Sequence, residues 1–169
     1  MSGFIRAIWH KQDFNQWIDV LDWLFDDAKF DHDKRWKGTN LTRFTNTVKK
    51  FDGFSKETFQ CALKKDSIIP DFSQNSPTMM MKSEQGMGRD IVRHIRNGIA
   101  HGNAKIIQKN GKRYIEISDY KARSRARNDK SAYIFVPVEY VLKIYKVYCD
   151  IEKSFKNGRS VKRQNKKGA

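Results

Sequence analysis

The sequence lacks most of the features that disclose a function directly. It has two cysteines in 169 residues, Cys61 and Cys149, and no C-x-x-C pair. That leaves neither a disulfide framework nor a cysteine zinc site, and both read as small core residues of a reducing compartment. No apolar run reaches the ~18 residues of a membrane span. Met1 to His10 carries one arginine and too short an apolar stretch for a signal peptide, so a cytoplasmic protein is expected. The patterns H-E-x-x-H, G-x-x-x-x-G-K-[ST] and G-x-G-x-x-G are absent, which removes sequence support for metalloprotease, NTPase and dinucleotide chemistry. Acidic residues are scarce, 19 against 34 basic ones, for a formal net charge of +15. Such an excess implies a polyanionic partner, nucleic acid or an anionic membrane surface.

Aromatic residues are plentiful, with 11 Phe and 4 Trp, enough for the core of one domain. Phe14, Trp17, Ile18, Leu21, Leu24, Phe25 and Ala28 recur at helical spacing after an Asp13 cap, predicting a first helix to about Phe30. Of its acidic residues, Asp19, Asp22, Asp26 and Asp27, one could orient a catalytic side chain from a facing helix. A charged connector, residues 31–38, leads to a second helix over 40–51. Ser55 reads as the cap of a third helix, with Phe54 and Phe59 as its hydrophobic staple. Residues 69–82, holding Met79, Met80 and Met81, read as a long loop. A fourth helix follows over 83–101. Asn110-Gly111 then marks a β-hairpin between residues 104–108 and 112–118, and residues 132–136 a third strand stopped by Pro137. A last helix is expected from Val138 to about Lys156. The expectation is a mainly α fold: a compact bundle of about five helices with a small β-hairpin or three-stranded insertion before the last one. Residues 1–156 form its single domain, and residues 157–169 a basic, disordered tail.

The fourth helix ends on Arg93-His94-Ile95-Arg96-Asn97-Gly98-Ile99-Ala100-His101-Gly102. On a helical wheel Asp90, His94, Asn97 and His101 fall within about 40° of one line, opposite Ile91, Val92, Ile95 and Ile99. Gly102 should close the helix, because glycine takes the left-handed C′ conformation without a Cβ penalty.

Arg96-Asn97-x-x-x-His101 resembles the R-x(4–6)-H signature of the HEPN domain family, with Asn97 as the polar residue after the arginine. The resemblance implies a compact helical domain and a metal-independent endoribonuclease of toxin or antiviral-defence type. It implies a homodimer with the motif at the interface, RNA as partner, and a cognate antitoxin or inhibitor protein; no cofactor and no membrane enter. His101 would be the acid/base, Arg96 the phosphate stabiliser and Asn97 the orienting group, with Arg93 and His94 in support.

The residue types suit that chemistry. Attack of a 2′-hydroxyl on its phosphate needs proton carriers near neutral pH and a fixed positive charge. Arg96 and His101 stand about 140° apart on a straight helix, so helix distortion at Gly98 or a second protomer must bring them together. A metal held by Asp90, His94 and His101 is disfavoured, because the two histidines lie about 10.5 Å apart along the axis. Lys121, Arg123, Arg125 and Arg127 could follow an RNA backbone on an extended loop. Two alternatives share these features: a non-catalytic RNA- or nucleotide-binding module, and a basic helical protein-interaction domain.

Overall fold

The computed structural model describes residues 14–26, 35–69, 75–120 and 129–167. Helices α1 (Phe14–Phe25) and α2 (Thr39–Val48) come first, then strands β1 (Phe59–Leu63) and β2 (Thr78–Lys82). Helix α3 (Met87–Ala100) precedes β3 (Ala104–Lys109), β4 (Lys112–Tyr120) and β5 (Lys130–Pro137), and α4 (Val138–Lys167) closes the order.

The fold is mixed α/β, and this corrects the expected helical bundle. A five-stranded sheet in the order β1-β2-β5-β4-β3 forms its centre. Strands β1 and β2 run parallel, and the other neighbours are antiparallel. The hairpin and third strand are where the sequence places them, but they are three of the five strands of a central sheet rather than an insertion. The segment expected as a third helix holds β1, and the expected Met-rich loop holds β2.

Packing explains both differences. Every residue of β2 is buried, with Met79 and Met81 on the helix side and Met80 on the other. A strand covered on both faces has no polar alternation to announce it. Ser55 does not cap a helix; its hydroxyl accepts from the backbone N–H of Glu57 (3.2 Å) and Thr58 (3.3 Å), forming a turn into β1. Phe54 and Phe59 do meet, their ring centroids 5.0 Å apart, across that turn.

Two apolar clusters sandwich the sheet. The larger joins Ile115, Ile117, Ile134 and Val136 to the helices, including Ile91, Ile95 and Ile99 of α3. The smaller sets Ile69, Met80, Tyr133 and Phe135 on the far face. Helix α1 buries Trp17, Val20, Trp23 and Leu24, leaving Ile18 and Phe25 exposed. Its buried face is thus rotated from the stripe that spacing alone suggests. Trp36, in the charged connector, is fully buried, stacks on Tyr148 at 4.9 Å and donates to Glu152 Oε1 at 2.7 Å. Helix α4 continues past Lys156 to Lys167. The Asp13 cap and the basic segment Lys121, Arg123, Arg125 and Arg127 lie outside the described residues.

Gly98 sets how closely α3 lies on the sheet. A Cβ built there would stand 2.0 Å from Ile117 Cγ2. Alanine would gain up to ~1 kcal/mol of helix propensity. A contact that short against a β-branched core side chain outweighs this, since overpacking costs typically ~1–3 kcal/mol. Gly98→Ala is therefore expected to be net destabilising by about 1–2 kcal/mol in urea denaturation. A variant as stable as the parent would show that the helix and β4 are not in close contact.

Candidate active site

Helix α3 is tied at both ends. Gly86 precedes it at φ 103°, and the buried Asp90 carboxylate accepts the backbone N–H groups of Glu84 (3.2 Å), Gln85 (3.0 Å) and Gly86 (3.1 Å). Asp90 thus serves the helix N-terminus, where negative charge is favoured. At the other end Asn103 N–H reaches Gly98 O at 2.8 Å and Gly102 N–H reaches Ile99 O at 3.1 Å. With Gly102 at φ 72° this is a Schellman closure, as the sequence predicts. It makes His101 the last residue before the chain turns, fixed in backbone and exposed in side chain.

The polar face of α3 does not point to solvent along its whole length. His94 is fully buried, and its Nδ1 lies 2.7 Å from Asp119 Oδ2 on β4. Arg93 Nη2 stands 3.0 Å from His94 Nε2. A carboxylate only accepts, so Nδ1–H donates to Asp119, while Nε2 lies between the Arg93 guanidinium and, at 3.4 Å, the Lys82 carbonyl. Asn97 Nδ2 donates to the same Asp119 oxygen at 3.2 Å, and Tyr120 N–H to its other oxygen at 3.0 Å. Asp119 is therefore the hub that fixes His94, Asn97 and the end of β4. Along β4, Ile115, Ile117 and Asp119 are buried toward the helices, so a carboxylate takes the next apolar position. The run Ile-x-Ile-x-Asp was the sequence signal for it. The first-helix acids Asp19, Asp22 and Asp26 are not among the residues that line the site.

A cleft of about 890 Å³ opens beside this network. Lys65, Arg93, Asn97, His101, Asp119 and Tyr120 are among its walls. The structure thus brings together Asn97 and His101, with Arg93 beside them. His101 lines the cleft, is exposed, and its imidazole bonds to no other described residue. Arg93 is largely engaged elsewhere: Nη1 donates to Glu84 (2.7 Å), and Nη2 to Asp90 (3.3 Å) and His94. Arg96 does not line the cleft; it is half-buried, with Nε and Nη2 directed at Asn97 Oδ1 (3.4 and 3.3 Å). Lys82 is paired with Asp129 at 3.1 Å. Among the described cleft residues Lys65 is the cation with neither a carboxylate partner nor a buried side chain. Sequence reasoning missed Lys65, Asp119 and Tyr120, which sit on segments that carry no motif.

A family model described as HEPN pEK499 p136 matches residues 25–133. The chain belongs to this HEPN family. The match takes in the whole of Arg96 to His101 and, from Lys65 to Ser131, every residue that lines the cleft. HEPN domains are commonly associated with RNase activity. No curated protein and no solved structure matches the chain. Among the described residues no helix is long and apolar enough to cross a membrane.

Proposed function

We propose that this HEPN chain is an endoribonuclease that cleaves RNA by attack of the substrate's own 2′-hydroxyl on the adjacent phosphate, without a metal, in the cleft around His101. The observation that carries the reading is His101 itself: an exposed imidazole with no competing bond, held at a rigid helix end in a polar cleft. Histidine takes and returns protons near neutral pH, which is the work this reaction requires. Asn97, braced by Asp119, offers the rest of its amide to the imidazole or a phosphate oxygen.

Charge on the phosphate needs a second source. Arg93 has most of its donors engaged within its own chain, and Lys65 supplies a point charge without a planar fork. Arg96 sits on the flank of the same helix end, outside the cleft. A homodimer with the two helix ends at a two-fold axis would carry the partner's Arg96 to this His101, and the reverse. A mixed dimer of His101→Ala and Arg96→Ala chains regains one intact site under this arrangement, and a strict monomer with full activity would end it. Unrestrained RNA cleavage is toxic, which suits a toxin or antiviral effector held by a cognate inhibitor protein.

The reaction leaves a distinctive product. Chain incubated with total RNA in EDTA is expected to yield fragments with 2′,3′-cyclic phosphate and 5′-hydroxyl ends. Cleavage that stops on chelation and returns with a divalent cation would overturn the mechanism. Tight RNA binding with no cleavage in any buffer would make the chain a binding module instead.

A further inference from the structure

The nuclease reading makes no use of the end of helix α4. From Lys156 to Lys167 every charged residue is basic: Lys156, Arg159, Lys162, Arg163, Lys166 and Lys167. No acidic residue follows Glu152 in the sequence, and Glu152 is engaged by Trp36 and Arg35. Among the described residues Phe155 is the last one packed on the core. A run of cations is by itself ordinary solvated surface. The order within this one is not ordinary.

The segment is helical to Lys167. Lys156, Arg159, Arg163, Lys166 and Lys167 fall within about 100° of one another around its axis. The opposite arc takes Asn157, Gly158, Val161, Gln164 and Asn165, none of them charged. Like charges three and four residues apart repel, so helix stability does not favour this grouping. The helix dipole favours cations only in the last turn, and Lys156 and Arg159 lie more than two turns from the end.

The fold roots the stripe away from the cleft. Trp36 donates to Glu152, and its carbonyl accepts from Arg89 Nη2 at 3.2 Å, so this part of α4 sits beside the first turn of α3. His101 closes α3 at the other end, roughly 18 Å along the axis from Arg89. The stripe also lies beyond residues 25–133, so the family match does not account for it.

We propose that residues 156–167 are a basic arm that grips the RNA phosphate backbone at a second place, away from the bond cut at His101. The inference rests on the nuclease reading for the identity of the polyanion and adds a binding site to it. A row of cations on one side of a helix suits a phosphate backbone and takes no account of base identity. An anionic membrane is the poorer partner. A helix lying on a bilayer needs a broad apolar face, and the uncharged arc here holds Val161 among amides and a glycine. The arm therefore sets affinity for RNA, and the cleft sets the rate of the bound complex.

The test compares the full chain with two full-length variants. One carries Lys156→Gln, Arg159→Gln, Arg163→Gln and Lys167→Gln, since glutamine is a comparable helix former. The other carries Lys156→Asn with Asn157→Lys and Arg163→Asn with Asn165→Arg, which keeps composition and charge but breaks the stripe. Binding is read on a fluorescent 2′-O-methyl RNA, which cannot supply the attacking hydroxyl, across a range of salt. Cleavage of the unmodified strand is followed in single turnover at saturating protein, with circular dichroism to confirm each fold. The glutamine variant is expected to bind roughly ten- to hundred-fold more weakly at low salt, its log–log salt slope shallower by about three for four lost contacts. Its saturating cleavage rate should stay within about two-fold of the parent's. The exchange variant should fall between the two in affinity. Parent-like binding by the glutamine variant would overturn the arm and leave the nuclease reading intact. A loss there with none in the exchange variant would reduce the effect to net charge and overturn the stripe. A saturating rate that collapses with the affinity would put these residues in the chemistry and also overturn it. So would a parent that prefers phosphatidylserine–phosphatidylcholine vesicles to RNA and loses that preference in the glutamine variant. A parent chain that neither binds nor cuts any RNA would overturn both readings.

Discussion

Replacing His101 with alanine is expected to lower RNA cleavage by roughly a hundred- to ten-thousand-fold, the usual contribution of a positioned acid or base. The fold should not notice. His101 is exposed, its backbone bonds run through Asn97 O rather than through the imidazole, and the closing geometry belongs to Gly102. Exposed substitutions away from special geometry usually change stability by within ~0.5 kcal/mol. Thermal melting with the parent's midpoint, beside initial rates on one RNA, separates the two effects. Arg96→Ala should approach the same loss, and Arg96→Lys should recover only part of it, because an ammonium lacks the paired donors that match a phosphate. Cleavage by His101→Ala at the parent rate would remove the histidine from the mechanism.

Asp119→Ala is expected to have the opposite profile, a large loss of stability. The carboxylate is buried and accepts from His94, Asn97 and its neighbour's backbone. Removing it strands the Nδ1–H of a fully buried imidazole and opens space between α3 and β4. Each buried donor left without its acceptor costs about 1–3 kcal/mol, and three donors lose theirs here, for a total of about 3–5 kcal/mol. At ~2–4 °C per kcal/mol for a chain of this size, the melting midpoint should fall by roughly 10 °C. Asp119→Asn should be milder, about 1–2 kcal/mol, since its carbonyl can still accept from His94 while its amide faces another donor. An alanine variant that melts with the parent would mean that the His94–Asp119 contact does not hold the helix to the sheet.

The parts of the molecule legible in the sequence are those where one local rule acts alone. Helix α3 follows from Ile91, Ile95 and Ile99 at helical spacing, and its end from Gly102 at the left-handed position. The β3–β4 turn follows from Asn110-Gly111, both at positive φ. Strands β1 and β2 were not legible, because tertiary burial decided them. Phe59, Ala62 and Leu63 fit a helical stripe as well as a strand, and only pairing with β2 chose between them. Met79, Met80 and Met81 have no strand preference of their own, yet burial on both faces fixed them at the centre of the sheet. Trp36 was hidden by its charged neighbours, although Tyr148 and Glu152 make it a core anchor. The site divides in the same way. His101 and Asn97 could be read from spacing on one helix. Lys65 and Tyr120 reach the cleft only through the fold, so no spacing along the chain could reveal them, and Asp119 was marked only by its place as the third alternate position after Ile115 and Ile117.

The most direct test of the central claim places a single missing oxygen at the scissile position. A cleavage site is first mapped on a defined single-stranded RNA in EDTA, and the same strand is then made with one 2′-deoxynucleotide immediately 5′ to the broken bond. Attack by the 2′-hydroxyl requires that the deoxy strand survive at that bond while other sites are cut at the parent rate. Cleavage of the deoxy strand at the mapped bond at an undiminished rate would mean that water, not the RNA's own hydroxyl, is the nucleophile, and would contradict the mechanism assigned to His101.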